Sequence, residues 1–216
     1  MNKTDLKLYA ITDRQWLHGA RLSEHVKLAI EGGATMIQIR DKDILSTDSD
    51  AGLNDEYKEA LEIKKICHEH NVPLIINDNV QFAIDIDADG VHLGQDDMNP
   101  AEARKLLGAH KIIGVTAKTV EQAKKAQADG ADYLGSGAVF GSTTKLNAKP
   151  MTKELLQEIT AAVDIPVVAI GGINADNAAT LKGTGIAGIA VVGAIFASAD
   201  IKAAAKELAE ICDKML

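Results

Sequence analysis

The sequence predicts a single eight-stranded parallel (β/α)8 barrel, or TIM barrel, in which residues 1–216 form one domain. Three observations lead to this prediction. The chain alternates eight short aliphatic runs with eight longer amphipathic segments, no Ser/Pro-rich linker interrupts them, and glycine-containing phrases precede several runs. A doubly wound open sheet is the alternative, but that fold normally uses fewer strands.

The predicted strands are short aliphatic runs, which are typical of a parallel sheet buried on both faces. In chain order they cover residues 8–12, 36–40, 73–77, 90–94, 111–116, 132–137, 166–171 and 188–193. The segments between them carry apolar residues at helical spacing. These predicted helices lie near residues 23–31, 56–70, 79–86, 100–107, 119–129, 152–163, 175–182 and 201–214.

Similar phrases precede the second, fourth, sixth and eighth strands: EGGAT, DADG, ADGAD and GTGIAG. Glycine in such a phrase suits the residue that ends a helix in the left-handed backbone region, because a residue with a Cβ adopts that region only at a cost. The phrases therefore predict returns from a helix to the next strand.

The composition is that of a globular protein without a basic surface. Of 216 residues, 46% are hydrophobic, 25% are charged and 3% are aromatic, and the formal net charge is -8. We expect an aliphatic core and neither nucleic acid nor a membrane as a partner. The chain has no apolar run of roughly 20 residues and no signal-peptide core, so a cytoplasmic location is expected. Cys67 and Cys212 are predicted to be reduced and buried.

Polar residues and glycine turns cluster where the predicted strands end, which in this fold is the rim that carries the active site. Strands two to four deliver amide, cationic and acidic side chains, strands five and six deliver hydroxyls and a lysine, and strands seven and eight end in glycine turns. The set is Gln38, Arg40, Lys42, Asn77, Asp78, Asp96, Asp97, Thr116, Ser142, Thr143, Thr144, Lys145, Gly171, Gly172 and Gly193. We expect these residues to face one cavity.

Each of these residues, taken alone, also has an ordinary structural interpretation. Arg40 and Lys42 would be solvated loop charges, and Asp96 and Asp97 would cap the next helix. His92, inside the fourth strand, is expected to be a satisfied core or rim histidine rather than a ligand. The shared location of so many polar groups is what favours a functional site.

The combination suits a substrate that carries phosphate groups. Glycine turns after strands seven and eight can direct backbone N–H groups at a phosphate. Arg40, Lys42 and Lys145 would offset further negative charge. Asp78 and Asp97 fit beside phosphates only if a cation lies between them, and Mg²⁺ is the cation that proteins hold through one or two carboxylates, phosphates and water. Mg²⁺ is therefore the predicted cofactor.

Five segments occur in a specific order: QIRDK, INDN, GVHLGQDDM, ADYLGSGAVFGSTTK and VVAIGGI. Together, over nearly the full chain, they closely resemble the thiamine phosphate synthase (thiamine-phosphate pyrophosphorylase) family. The resemblance implies a Mg²⁺-dependent transferase that joins 4-amino-5-hydroxymethyl-2-methylpyrimidine diphosphate to 4-methyl-5-(2-phosphoethyl)thiazole. The products would be thiamine phosphate and diphosphate. Small phosphorylated molecules are thus the expected partners, and a homo-oligomer is a further possibility.

The resemblance also implies a role for each matching residue. The pyrimidine diphosphate would be held by Gln38, Arg40, Lys42, Asn77, Thr116 and Lys145. The thiazole phosphate would be held by Ser142, Thr144, Gly172, Val192 and Gly193. Further predicted substrate-binding residues are Ile39, Asp41 and Thr143. Asp78 and Asp97 would bind Mg²⁺, because the second acid of the DD pair is the ligand in the family. Arg40, Lys42, Lys145 and Thr116 are the predicted catalytic residues, the three cations through stabilisation of the departing diphosphate.

The chain departs from the family pattern in three places. Thr116 stands where serine is usual and keeps the hydroxyl, Ala138 and Gly141 lie near positions where proline is common, and Gly193 replaces a usual serine. We expect these departures to affect affinity and loop order rather than the type of reaction.

The sequence leaves three other functions open. A thiazole tautomerase shares the fold and the phosphate loops but needs no diphosphate site, so the joint presence of Asp78, Asp97, Lys42 and Lys145 argues against it. A Schiff-base aldolase would use Lys145 as a nucleophile and need no metal. A non-catalytic binder would hold the thiazole phosphate without releasing diphosphate.

Overall fold

The computed structural model describes residues 2–41, 55–141 and 150–216, and eight parallel strands in these ranges close into a barrel in chain order. The strands are β1 Leu8–Ile11, β2 Met36–Ile39, β3 Leu74–Asn77, β4 Gly90–Leu93, β5 Ile112–Thr116, β6 Tyr133–Gly137, β7 Val167–Ile170 and β8 Gly188–Val191. Each strand lies inside a predicted aliphatic run, and β1 pairs with β8 to close the barrel. The predicted fold class is confirmed.

Helices in the described ranges cover the outside of the barrel. They are α1 Leu22–Glu31, α2 Asp55–Glu69, α3 Val80–Asp85, α4 Pro100–Leu107, α5 Val120–Ala128, α6 Lys153–Ala161, α7 Gly193–Phe196 and α8 Ile201–Met215. Several begin at a polar residue whose side chain accepts a backbone N–H of the first turn, which is the usual signal for a helix start. These capping residues are Asn79, Asn99, Thr119, Thr152 and Asp200.

The seventh predicted helix, residues 175–182, is wrong in type and length. The structure has a four-residue 3₁₀ helix there, Ala178–Leu181. The Asn174 side-chain oxygen accepts the N–H groups of Asp176 and Asn177 at 3.0 and 3.2 Å, and such local side-chain bonds compete with a regular helix. The four-residue α7 after β8 was not predicted, because it is too short to show a helical period.

Alternate residues along each strand divide the core into two parts. In β1, Leu8 and Ala10 face the helices, whereas Tyr9 and Ile11 face the barrel interior. The interior cluster is small and the helix-facing cluster is large, as expected when both faces of a closed sheet are covered. The site therefore lies above an interior that side chains fill.

The predicted helix-to-strand returns are present, with one difference. Gly33 and Gly130 have φ angles of 113° and 92°, in the region that glycine favours. In the DADG phrase the left-handed residue is Asp87, with φ 52°, whereas Gly90 lies in β4. A Cβ at Gly90 would lie 2.1 Å from the Ile112 carbonyl oxygen, so this glycine permits close strand packing instead.

Both cysteines match their prediction as reduced, buried thiols. Cys67 and Cys212 are free and fully buried, and burial raises the pKa of each thiol to about 12. Among the helices of the described ranges, none combines the length and the apolar character needed to cross a membrane.

Candidate active site

The ends of β1 and β2 carry the first predicted site residues. Gln38 is buried, and its carbonyl accepts the Thr12 N–H at 2.9 Å. The Thr12 hydroxyl in turn accepts the Arg40 N–H at 3.1 Å, which anchors the backbone where β2 ends. In the described part of the chain no carboxylate pairs with the Arg40 guanidinium. Arg40 follows β2 directly and therefore lies at the rim.

Asp41 has a different environment from its neighbour. Its side chain is only 3% exposed and forms an ion pair with Arg14. Arg14 also contacts Glu59 at 3.0 Å, and the other Glu59 oxygen accepts the Leu22 N–H at 2.8 Å where α1 begins. Burial lowers the pKa of Arg14, but the two carboxylates outweigh this and leave its pKa raised. Asp41 is thus linked through Arg14 and Glu59 to the start of α1, and its role in substrate binding stays a prediction.

The strand β3 ends on Asn77, and the next residue, Asp78, turns the chain out of the sheet. Asp78 has φ 62°, a left-handed conformation that aspartate and asparagine adopt more readily than most residues. Its N–H donates to the His92 carbonyl at 2.9 Å, and its Oδ2 accepts the Asn77 side-chain amide at 2.6 Å. The exposed carboxylate is thus held at the rim by both its backbone and its neighbour.

The loop after β4 holds the second predicted metal ligand. Oδ2 of Asp97 accepts the Gly94 N–H at 2.6 Å. A Cβ at Gly94 would lie 2.8 Å from that oxygen, so the glycine permits the carboxylate to fold back over the strand end. The Gln95 side chain donates to the Thr116 carbonyl at 2.6 Å and ties this loop to β5.

Asp78 and Asp97 follow the adjacent strands β3 and β4, and both are exposed at the same rim. The described ranges contain no group of three or more His, Cys, Asp or Glu side chains that could hold a metal ion. Mg²⁺ does not require such a group, because one or two carboxylates together with substrate phosphates and water suffice. The hard oxygen donors of these two residues fit that cation.

A chain of hydrogen bonds crosses the barrel interior below the rim. The Gln38 side-chain amide donates to the Tyr9 hydroxyl at 2.6 Å, and the hydroxyls of Tyr9 and Tyr133 are 2.9 Å apart. The Tyr133 hydroxyl lies 3.0 Å from Nδ1 of His92, and Nε2 of His92 lies 3.0 Å from the Thr116 hydroxyl. The chain thus joins Gln38 and Thr116, two residues predicted to bind the pyrimidine.

Two strand glycines make the space for this chain. A Cβ at Gly114 would lie 2.1 Å from the Tyr133 ring, and a Cβ at Gly135 would lie 3.0 Å from the His92 ring. Tyr9 and Tyr133 are fully buried, and burial raises the pKa of both phenols, so both stay protonated.

The turn after β7 depends on glycine. Gly171 and Gly172 have φ angles of 103° and 66°. A Cβ at Gly171 would lie 2.4 Å from the Ala138 Cβ, and one at Gly172 would lie 2.7 Å from the Phe140 carbonyl oxygen. The Phe140 N–H donates to the Gly171 carbonyl at 3.0 Å. Residues 138–141 after β6 are therefore packed closely against the backbone of the turn after β7.

The turn after β8 differs, because Gly193 does not have a left-handed backbone. A Cβ at Gly193 would meet only the Ala197 Cβ, at an ordinary 3.8 Å. Together with the partly buried Val192 it follows β8 directly at the rim. A side chain at position 193 is therefore sterically acceptable.

The structure brings the described site residues to the carboxyl ends of the strands, as predicted. These are Gln38, Ile39, Arg40, Asp41, Asn77, Asp78, Asp97, Thr116, Gly172, Val192 and Gly193. The other predicted residues, Lys42, Ser142, Thr143, Thr144 and Lys145, lie outside the described residues. Sequence reasoning missed Tyr9, Tyr133 and Arg14. The chain has only three tyrosines, and these two lie in strands of an otherwise aliphatic barrel. Their position in the sequence could have indicated polar groups inside the barrel.

The fold and the rim define a (β/α)8 barrel with acidic, cationic and glycine-rich strand ends, an arrangement suited to phosphorylated ligands. The chain belongs to the thiamine monophosphate synthase family, whose model matches residues 8–195. It is 49% identical over 210 residues to thiamine-phosphate synthase of Ruminiclostridium cellulolyticum, with 97% of each chain covered. It is 46% identical over 204 residues to the enzyme of that name from Clostridium tetani, with 94% of each chain covered.

A solved structure agrees with this assignment. Thiamine phosphate pyrophosphorylase from Pyrococcus furiosus superposes with a TM-score of 0.87 at 38% identity. The superposition covers 99% of this chain and 98% of that one, so the whole barrel corresponds.

Proposed function

We propose that the protein is a thiamine phosphate synthase. It couples 4-amino-5-hydroxymethyl-2-methylpyrimidine diphosphate to 4-methyl-5-(2-phosphoethyl)thiazole and releases diphosphate. The observation that carries the proposal is the rim, where Arg40, Asp78 and Asp97 follow adjacent strands within a chain of this family. Two carboxylates beside a cation suit a diphosphate that is bound through Mg²⁺.

The pyrimidine diphosphate lies over the ends of β2 to β5 in this proposal. Gln38 and Thr116 contact the ring, and Asn77 and Arg40 contact the diphosphate together with Lys42 and Lys145. Asp78 and Asp97 hold Mg²⁺, which when bound supplies positive charge to the diphosphate oxygens. Support comes from the exposure of both carboxylates and from the absence of a paired acid at Arg40 within the described ranges.

The reaction begins with cleavage of the bond between the pyrimidine methylene carbon and the diphosphate oxygen. The electron pair leaves with the diphosphate, where Arg40, Lys42 and Lys145 stabilise the new negative charge. The positive charge that remains on the methylene is delocalised into the ring and its amino group. The thiazole nitrogen then gives its lone pair to the methylene carbon and forms the new C–N bond. No residue of the protein becomes covalently attached.

The thiazole phosphate lies over the ends of β6 to β8. Backbone N–H groups of the turns at Gly172 and at Val192–Gly193 hold its phosphate, with Ser142, Thr143 and Thr144 adding hydroxyl donors. The positive φ angles of Gly171 and Gly172 support this assignment, because such turns let a backbone approach a ligand closely. Holding the phosphate here would orient the thiazole nitrogen toward the methylene carbon.

Incubation of the protein with both substrates and Mg²⁺ tests the proposal. We expect release of diphosphate and formation of thiamine phosphate, detected by mass, and little diphosphate when the thiazole phosphate is omitted. Binding of the thiazole phosphate without diphosphate release would instead identify a binding protein. Conversion of a thiazole tautomer without any need for the pyrimidine substrate would identify an isomerase.

A further inference from the structure

The hydrogen-bond chain between Gln38 and Thr116 has a direction, and it follows from counting protons. A protonated phenol has one hydrogen to donate. Among the described residues, the Tyr9 hydroxyl contacts only the Gln38 amide nitrogen and the Tyr133 hydroxyl. The Gln38 nitrogen is a donor, so the Tyr9 hydrogen must point to Tyr133 or be buried without an acceptor. The second arrangement would be costly, so Tyr9 donates to Tyr133.

The donor in each remaining hydrogen bond between Tyr133 and Thr116 follows from this assignment. The hydrogen between the two phenols belongs to Tyr9, so the hydrogen of Tyr133 needs another acceptor, and among the described residues its hydroxyl otherwise contacts Nδ1 of His92, at 3.0 Å. A ring whose Nδ1 accepts carries its proton on Nε2. Nε2 therefore donates to the Thr116 hydroxyl at 3.0 Å. The Thr116 hydrogen is left to point toward the rim, while Oε1 of Gln38 is left as an acceptor.

We infer that Tyr9, Tyr133 and His92 are positioning residues that present Gln38 as a hydrogen-bond acceptor and Thr116 as a hydrogen-bond donor to an aminopyrimidine ring. The inference rests on the proposed function for the identity of that ring. An aminopyrimidine offers the matching groups, an exocyclic N–H and a ring nitrogen with a lone pair. None of the three positioning residues needs to touch the substrate.

The direction has a consequence for the chemistry. As the bond to diphosphate breaks, the amino group gives electron density to the ring and its N–H groups become more acidic. An acceptor at Oε1 of Gln38 then binds the developing cation more strongly than the ground state, which raises kcat. If the Gln38 amide were reversed, its NH₂ group would face the substrate and this stabilisation would be lost.

The surrounding strands are shaped for this chain. Gly114 leaves room for the Tyr133 ring and Gly135 leaves room for the His92 ring, each in a strand where a larger residue would otherwise fill the barrel. The two tyrosine rings meet edge to face with centroids 5.9 Å apart, which limits their motion. Because the rings are confined in this way, the hydrogen-bond chain holds Gln38 and Thr116 in one relative orientation.

The first test measures the tautomer of His92 in the free protein. In a sample with ¹⁵N-labelled histidine, we expect the His92 signals to show a protonated Nε2 and an unprotonated Nδ1. The spectrum of His92→Gln, in which that signal disappears, gives the assignment among the six histidines. A proton on Nδ1 would mean that the chain runs in the opposite direction and would overturn the inference.

The second test removes one hydroxyl from the middle of the chain. In Tyr133→Phe, Tyr9 loses its acceptor and turns to Oε1 of Gln38, so we expect kcat to fall about 10-fold, the effect of roughly one hydrogen bond. The KM for the thiazole phosphate should stay nearly unchanged. Tyr57→Phe is the matched control, because its hydroxyl contacts the Asp85 carbonyl outside the barrel at 3.4 Å.

A pair of substitutions at His92 separates direction from packing. Gln carries an acceptor and a donor on one side chain, so His92→Gln can preserve the direction, whereas His92→Leu removes both groups. We expect His92→Gln to retain several-fold more activity than His92→Leu at similar thermal stability. Equal activity of the two variants would contradict a positioning role.

These results distinguish the inference from the proposed function. If the wild-type protein formed no thiamine phosphate, the proposed function and the aminopyrimidine assignment would both be wrong, whatever the tautomer of His92. If the wild-type protein were active but Tyr133→Phe behaved like Tyr57→Phe, only the inference would be wrong.

Discussion

The two halves of the barrel rim offer a ligand different kinds of contact. Around β2 to β4 the contacts are charged side chains, namely Arg40, Asp78 and Asp97. Around β7 and β8 they are backbone turns, with Gly172 and Gly193 at positions where no charged side chain follows the strand. The first half of the rim therefore offers a ligand charged side chains, and the second half offers the backbone of its turns.

This difference corresponds to what happens to each phosphate in the proposed reaction. The diphosphate gains negative charge as it leaves, so groups that neutralise charge stabilise the transition state more than the substrate. The thiazole phosphate keeps the same charge throughout, so contacts to it contribute equally to both states. Mutations in the first half should therefore lower kcat, and mutations in the second half should raise KM.

The largest effect is expected at the two rim acids. Asp78→Asn and Asp97→Asn should each lower kcat by on the order of 100-fold or more, because one electrostatic contact to a developing charge is typically worth about 3 kcal/mol. The measurement is the rate of diphosphate release as a function of Mg²⁺ concentration. Asparagine also tolerates the φ of 62° at residue 78, so folding should be preserved.

Asp96→Asn is the matched control for these variants, since Asp96 is an exposed acid in the same loop. It should leave both the rate and the response to Mg²⁺ near their wild-type values. Full activity of the wild-type protein in EDTA would remove the basis for the metal assignment.

A smaller effect is expected at Lys145, which we assign to electrostatics and not to imine chemistry. Lys145→Ala should lower kcat by on the order of 10-fold or more, and Lys145→Arg should recover part of the loss because arginine keeps the charge. Steady-state rates of diphosphate release would compare the two variants. A borohydride-stable adduct between Lys145 and a carbonyl substrate would support the aldolase alternative instead.

In the other half of the rim, Gly172→Ala should raise the KM for the thiazole phosphate several-fold and leave kcat nearly unchanged. The substitution adds a Cβ that would lie 2.7 Å from the Phe140 carbonyl oxygen, so the turn must shift. The positive φ should also lower the free energy of unfolding by about 1 kcal/mol. Initial rates and thermal unfolding would measure the two effects.

Gly183→Ala separates these two effects. Gly183 also has a positive φ, 80°, but a Cβ there would meet nothing within 4 Å. This control should lose similar stability without any change in KM. A change in kcat for Gly172→Ala, with KM unaffected, would contradict the proposal that the half of the rim around β7 and β8 affects substrate binding alone.

The smallest effect is expected at Gly193, where the family usually has serine. Gly193→Ser should lower the KM for the thiazole phosphate several-fold, because a hydroxyl bond to a charged group contributes roughly 1.5 to 3 kcal/mol and part of this is replaced by water. The backbone at Gly193 is not left-handed and a Cβ there has room, so no strain opposes the change. If the KM for the pyrimidine diphosphate fell instead, the two substrates would be assigned to the wrong halves.

Much of the rim could be predicted because parallel strands place their carboxyl ends together, whatever the details of packing. A run such as LIIN followed by Asp78 locates an acid at that rim from local pattern alone. The same reasoning failed for the helix predicted at residues 175–182. The side chains of Asn174 and Asn177 form local hydrogen bonds with the backbone there, and the spacing of apolar residues does not reveal such bonds. Local pattern also gives no sign of the ion pair between Asp41 and Arg14, which joins residues 27 positions apart.

The sequence by itself determined the barrel, the order of its strands and which residue types follow the described strands at the rim, since these follow from local apolar patterns and from one topological rule. Only the tertiary structure decided that Tyr9 and Tyr133, 124 positions apart, share a hydrogen bond. Only the structure, likewise, decided that Gly114 and Gly135 make the space in which Tyr133 and His92 meet. Such contacts depend on which inward-facing side chains lie at the same height in the closed barrel, and that height is set by the register between strands.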